Sequence, residues 1–208
     1  MPPSAGARAN VLLRVPEPGW PFAEGERIAG SPPAPLLTLI TGPSAESDDA
    51  GRTRKDFAER HNLRYRWWAQ LLELAKTRTK LHAGVGPGTN PYLAAGAGRQ
   101  GITYNYAVRR HDARVMLWVD RGAEREEETE YIFSTLESQQ EAIEGRFGAQ
   151  LRWDRSEGRR ALWVASDSID KGYQDPEESW PQAQEQLVGL MVSLERAFAA
   201  PIQSLQIG

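Results

Sequence analysis

The stretch Gly101–Asp120, GITYNYAVRRHDARVMLWVD, decides how the chain folds. Ile102, Tyr104, Tyr106 and Val108 fall on one side of an extended chain, and Val115, Leu117 and Val119 fall on one side after the polar break. A period of two, rich in Tyr and Val, reads as two half-buried strands. The break Arg110–Ala113 predicts a hairpin with a four-residue loop. That register sets Val108 against Val115, Tyr106 against Leu117 and Tyr104 against Val119, three apolar pairs. It also sets Arg109 against Arg114, a like-charge pair that an anionic partner would relieve. Met116 and Trp118 then point away from the core-facing side.

Around this hairpin the periodicity changes. From about Asp56 to Lys76, Phe57, His61, Tyr65, Trp68, Leu71, Leu72 and Ala75 recur at three and four residues, which predicts an amphipathic helix. Leu81–Gln100 is rich in Gly and Pro and predicts a long surface loop. Ala123–Gly148 reads as one helix whose stripe is Ile132, Phe133, Leu136, Gln140, Ile143 and Phe147, with glutamates in its first turns and Gly148 as its stop. Leu151–Asp154 and Arg160–Val164 predict a second hairpin. A last helix is expected from Ser179 as its cap, with Pro181 in its first turn and Pro201 as its end. The order α-ββ-α-ββ-α implies an α+β fold, an antiparallel sheet with helices on one face.

Residues 1–54 differ. Nine of the chain's 14 prolines lie in Met1–Ala50, around two apolar runs, Val11–Val15 and Leu36–Ile40. Ser44–Thr53 reads as a linker. Two strands alone are marginal in water, so 1–54 is expected to be an extension that packs on a single domain, 55–208, through Leu13, Trp20 and Leu37–Ile40.

Composition narrows the function. The 208 residues carry a net charge of −3 and contain no Cys, which removes disulfides, thiolate metal sites and Cys nucleophiles together. His61, His82 and His111 are too scattered for a zinc site. No apolar run nears the ~18 residues of a membrane helix, and the N-terminus lacks a signal-peptide core, so a cytoplasmic protein with no membrane partner is expected. No GxSxG, P-loop or GxGxxG is present. A metal-dependent nuclease needs clustered carboxylates; Asp167–Lys171 has the wrong spacing, while Asp120 and Asp154 end strands, where such residues more often cap turns. No catalytic residue, metal or cofactor is therefore assigned.

Charge is unevenly placed. Gly51–Lys80 has a local net of +6 and Ala123–Glu144 one of −7, which suggests two charged faces or a mutual contact. Arg60, Arg64, Arg66, Arg109, Arg110, Arg114, Arg159 and Arg160 are the candidate phosphate contacts for DNA or RNA. Met116, Trp118 and Trp163 are candidate interface residues, because an apolar patch on a sheet's second face marks an interface or the floor under another element.

The segments LRYRWWAQLLELAK, GRQGITYNYAVRRHDARVMLWVDRG, FSTLESQQEAIEGRFGAQLRWDR and ESWPQAQEQL, in that order over about Asn62–Ile202, resemble the prokaryotic domain of unknown function 4268. Its most specific pieces here are Ala113–Gly122, Ile143–Trp153 and Trp180–Pro181. The family has no established biochemical role. The resemblance implies a setting C-terminal to a NucS-like, restriction-endonuclease-type nuclease domain, and so DNA-related or defence-related work. Val11–Pro43 look like the closing strands of such a domain, without its catalytic core. Met116 stands where the family often has an acid, and Ala161–Trp163 are more apolar than the family's small polar run. The sequence thus supports a non-catalytic, nucleic-acid-associated accessory domain, with a separately encoded nuclease subunit as a partner. The alternatives are a protein-interaction or assembly module, including a homo-oligomer, and a cryptic metal-dependent nuclease.

Overall fold

The computed structural model describes residues 45–155 and 161–207, with side chains from Asp56 onward. The expectations for Val11–Pro43, for the 1–54 extension and for Arg159 and Arg160 lie outside them. Arg54–Gly208 clusters as one compact unit. The described elements are α1 (Ala45–Lys76), β1 (Tyr92–Gly96), β2 (Ile102–Val108), β3 (Ala113–Val119), α2 (Glu126–Glu137), α3 (Gln140–Phe147), β4 (Arg152–Asp154), β5 (Leu162–Ala165) and α4 (Trp180–Gln203), the last preceded by a single 3₁₀ turn at Glu177–Ser179. The fold is α+β: one antiparallel five-stranded sheet in the order β1-β2-β3-β5-β4, with four helices.

The alternation of the central hairpin sets the layers. Ile102, Tyr104, Tyr106, Val108, Val115, Leu117 and Val119 are all buried, and α4 packs on β2 and β3 while α2 packs on β3 and β5. Helix α4 supplies Leu187, Met191, Leu194 and Phe198 to this core. Helix α1 supplies Trp67, Trp68, Leu71 and Leu72, and its Trp67 meets Trp180 of α4 edge-on, ring centroids 5.2 Å apart.

Several expectations need correction. The hairpin register is two residues tighter: Val108 pairs with Ala113, Tyr106 with Val115 and Tyr104 with Leu117. A slip of two keeps every side chain on its face, so the apolar pattern could not distinguish the two registers. Arg114 therefore sits opposite Ala107 and bonds Asp112, and the Arg109–Arg114 pair does not form. The expected Gly-rich loop contains β1, an edge strand whose Leu93 and Ala95 reach the core between exposed neighbours.

The expected single helix after β3 breaks at Ser138–Gln139 into α2 and α3; Gly148 does stop α3, at φ 95°. The segment read as a linker is already helical from Ala45. Phe57 and Tyr65 stay exposed, because the buried stripe of α1 begins only at Trp67. Ser179 precedes α4, but its Oγ donates to the Pro176 carbonyl and caps no helical N–H. Helix α4 also runs through Pro201, which lies buried in its last turn.

Two polar junctions fix the helices to the sheet. Arg121, its side chain 2 % exposed, bonds Glu128 at 2.8 Å and the Gln100 carbonyl at 2.7 Å, tying the end of β3 to α2. Glu144 Oε1 accepts from Gln140, from the Leu151 amide and from Trp153 Nε1, tying α3 to β4. Partial desolvation opposes charge on Glu144, yet these three donors hold its pKa below the usual range. The glutamates of α2 pair with Arg121, Arg125 and Arg155, while Arg66 and Lys76 of α1 pair with Glu177 and Glu73, and Arg78 just after α1 pairs with Glu185. Among the described residues no ion pair joins α1 to α2, so the two charged segments are met by other partners.

Leu117 lies fully buried at the middle of the central strand. Leu117→Ala is expected to lower unfolding stability by about 2–5 kcal/mol, whereas the exposed edge change Tyr92→Ala stays within about 1 kcal/mol. Urea titrations of the two variants check the contrast.

Candidate nucleic-acid interface

Two surfaces bring candidate residues together. The first is the turn between β2 and β3. The Arg109 amide donates to the Asp112 carbonyl at 2.7 Å and closes the turn. The segment after β5 then clamps it from the outside. Ala113 and Ile169 exchange both backbone hydrogen bonds, Tyr173 N donates to Arg109 O at 3.1 Å, and Gln174 N donates to Arg110 O at 3.0 Å. Gly172 makes this approach possible: a Cβ there would lie 2.3 Å from the Arg109 carbonyl oxygen and 2.5 Å from that of Arg110. Any side chain would push the clamp off the turn.

Asp175 braces the same segment. Its Oδ2 accepts from Gly172 N at 2.6 Å, and its Oδ1 lies 3.1 Å from His111 Nδ1. Desolvation works against the charged carboxylate, but these bonds together with the nearby His111 and Lys171 hold its pKa below the ordinary value. The result is a fixed platform from which Arg109 and Arg110 project, both exposed, with no side-chain partner among the described residues. Arg110 also lines a cleft of about 260 Å³ with Arg60 and Gln174, opposite Asp56 and Glu59.

The other candidate arginines are engaged. Arg60 stacks over Phe57 at 4.5 Å and bonds the Asp56 carbonyl. Arg64 lies 4.8 Å over the Tyr173 ring and bonds the Tyr173 hydroxyl and the Thr89 carbonyl. Arg66 pairs with Glu177 at 2.8 Å. Arg64 and Arg66 thus tie α1 to Tyr173 and the 3₁₀ turn, while the contacts of Arg60 stay within α1.

The second surface is the face of the sheet turned away from the packed helices. The registers place Thr103, Trp118, Trp163 and Asp154 in one cross-strand row, and Asn105, Met116, Ala165 and Arg152 in the next. The three candidate interface residues are thus neighbours: Trp118 is 37 % exposed, and Met116 and Trp163 are half-buried. Arg152 lies 5.5 Å over the Trp163 ring, and at the other end Arg114 shares a row with Ala107 and the exposed Tyr92. Tyr92 and Arg152 escaped the sequence reading, because β1 was hidden in a Gly-rich stretch and the register of β4 on β5 is set by three residue pairs only.

Both carboxylates considered for catalysis make local contacts. Asp120 Oδ1 caps the following turn by accepting from Gly122 N, and Asp154 pairs with Arg152 at 3.8 Å. Among the described residues no group of three His, Asp or Glu side chains could hold a metal ion, and no helix is long and apolar enough to cross a membrane.

Beneath β2 lies a polar cluster that the sequence did not single out. His82 and Tyr106 are buried with ring centroids 4.8 Å apart, and neither His82 nitrogen nor the Tyr106 hydroxyl has a hydrogen-bond partner. Desolvation lowers the His82 pKa to about 4, against a weaker opposing influence from the Tyr104 backbone. Burial, with the charge of Glu195 nearby, pushes both Tyr104 and Tyr106 upward, so both phenols stay neutral.

Family membership follows from comparison with known proteins. The chain matches the family described as Domain of unknown function (DUF4268) over residues 63–202, and belongs to it. No curated protein and no solved structure gives a significant match.

The buried histidine gives a signed pH dependence. His82 is neutral in the fold with a pKa of about 4, whereas its ordinary value is 6.5, so the unfolded chain binds the extra proton as pH falls below 6.5. Its contribution is present above 6.5 and is lost progressively down to about 4. From pH 7 to pH 5 this amounts to about 2 kcal/mol. Urea unfolding at both values is expected to show that loss in the native chain and a smaller one in His82→Leu; equal losses would contradict it.

Proposed function

We propose that this domain is a non-catalytic, nucleic-acid-associated accessory module whose phosphate contacts come from the clamped turn between β2 and β3. The observation that carries the reading is the pair Arg109 and Arg110, exposed on a backbone held from both sides and without a carboxylate partner among the described residues. A cation on a fixed backbone needs little reordering to meet a phosphate, and guanidinium is suited to that geometry. Lys171 on the clamp adds a further cation near Asp175.

The resemblance to domains that accompany restriction-endonuclease-type nucleases supports the same assignment, and the partner proposed with it is a nuclease subunit encoded separately. The chemistry of cleavage would belong to that subunit, since Asp120 and Asp154 are already committed to a turn and an ion pair.

The test is an affinity series between 50 and 300 mM salt with fluorescent oligonucleotides. Arg109→Glu/Arg110→Glu is expected to weaken binding at least tenfold at low salt. It should also flatten the log–log salt slope by about 1.4–1.8, the loss of two phosphate contacts. A folded double variant with unchanged affinity and slope would remove the turn from the interface, and absence of binding by the native chain at low salt would end the reading.

A further inference from the structure

Resting on that reading, we infer that the nucleic acid is single-stranded and that its bases stack on the open face of the sheet, at Trp118 and Trp163. Trp118 and Trp163 are directly opposed across β3 and β5, so their rings are cross-strand neighbours on one face. On this side β1 contributes Ala94 and Gly96, both exposed, and β2 contributes Thr103, Asn105 and Ala107, so no second bulky aromatic from β1 or β2 stands in the rows of Trp118 and Met116. Among the described residues no helix covers this partly exposed aromatic floor, and it offers base-sized stacking surface, which is sequence-tolerant because every base has a π-face.

Charge on this face is balanced, and the unpaired cations lie at its edge. Arg152 stands over Trp163 and pairs with Asp154 of the same row, Arg114 pairs with Asp112 at the other end, and the adjoining turn carries Arg109 and Arg110, which have no carboxylate partner among the described residues. Four residues of β3 separate Arg114 from Trp118, about 13 Å along the strand. Phosphates engaged at the arginine turn thus leave their neighbouring bases within reach of the tryptophans. In a duplex those bases are already paired and stacked, so this surface selects the unpaired strand. The residue at position 116 fits the assignment: Met116 lies between Arg114 and Trp118, where an acid would repel the backbone.

The experiment compares a 15-nucleotide oligo(dT) with a 15-base-pair duplex by fluorescence anisotropy at 50 mM salt, using the full chain. Four variants are read beside it: Trp118→Leu, Trp118→Phe, Trp163→Leu and Arg109→Glu/Arg110→Glu, each checked for its fold by circular dichroism. The inference expects oligo(dT) to bind at least tenfold tighter than duplex. Trp118→Leu and Trp163→Leu should each lose about 5- to 100-fold on oligo(dT), with Trp118→Phe restoring most of it because the π-face returns. Equal binding of duplex and oligo(dT), insensitive to both leucine variants but abolished by the arginine double variant, overturns the inference and leaves the nucleic-acid reading standing. Failure to bind either nucleic acid, with self-association that Trp118→Leu abolishes, overturns both in favour of a contact between copies of the chain.

Discussion

The described fold follows from a sheet whose described helices pack on one side. Each strand must serve two environments with a period of two. The helix side is met by Tyr104, Tyr106, Val115, Leu117 and Val164, all essentially inaccessible. The opposite side of those strands carries Asn105, Arg114, Met116, Trp118 and Trp163. An ordinary solvated face would be polar throughout, and here Thr103, Asn105 and Asp154 share the face with aromatic, sulfur-containing and cationic residues. Burial energetics explain the first set and not the second, so the second set needs a reason outside the domain's own core.

The same sheet explains how a turn can become a platform. Hairpin tips move when nothing holds them. Here the chain leaving β5 returns alongside the β2–β3 turn, and Gly172 lets two backbones approach within a distance that no side chain would allow. Asp175 then ties the clamp to His111, and Trp180 Nε1 donates to the Asp175 carbonyl, so the start of α4 anchors the assembly to the core. A single carboxylate and a single glycine thereby link helix α4 to the exposed arginines of the turn.

Much of this was legible in the residues. Alternation in Gly101–Asp120 identified both strands, their buried face and the outward course of Met116 and Trp118, because a period of two survives any even slip. That insensitivity is also why the register was missed: the loop is closed by the Arg109–Asp112 bond, and nothing in an apolar pattern encodes it. Strand β1 was hidden because Ala94 and Gly96 are small, as an open edge beside a flat face permits, and small residues carry no strand signal. Basic residues in α1 looked like a charged face, but Arg64 and Arg66 are spent on Tyr173 and Glu177, contacts made at sequence separations that periodicity does not sense. His82 gave no signal at all, since its burial depends on Tyr106 of a distant strand.

The central claim is that the sheet's open face, and not the basic helix, is the working surface. The most direct measurement is photo-crosslinking with an oligonucleotide carrying 5-iodouracil, followed by mass spectrometry of the tryptic peptides. The account predicts adducts at Trp118 and Trp163, in peptides from β3 and β5. Adducts confined to α1 between Asp56 and Arg66, with none on the sheet, would contradict it.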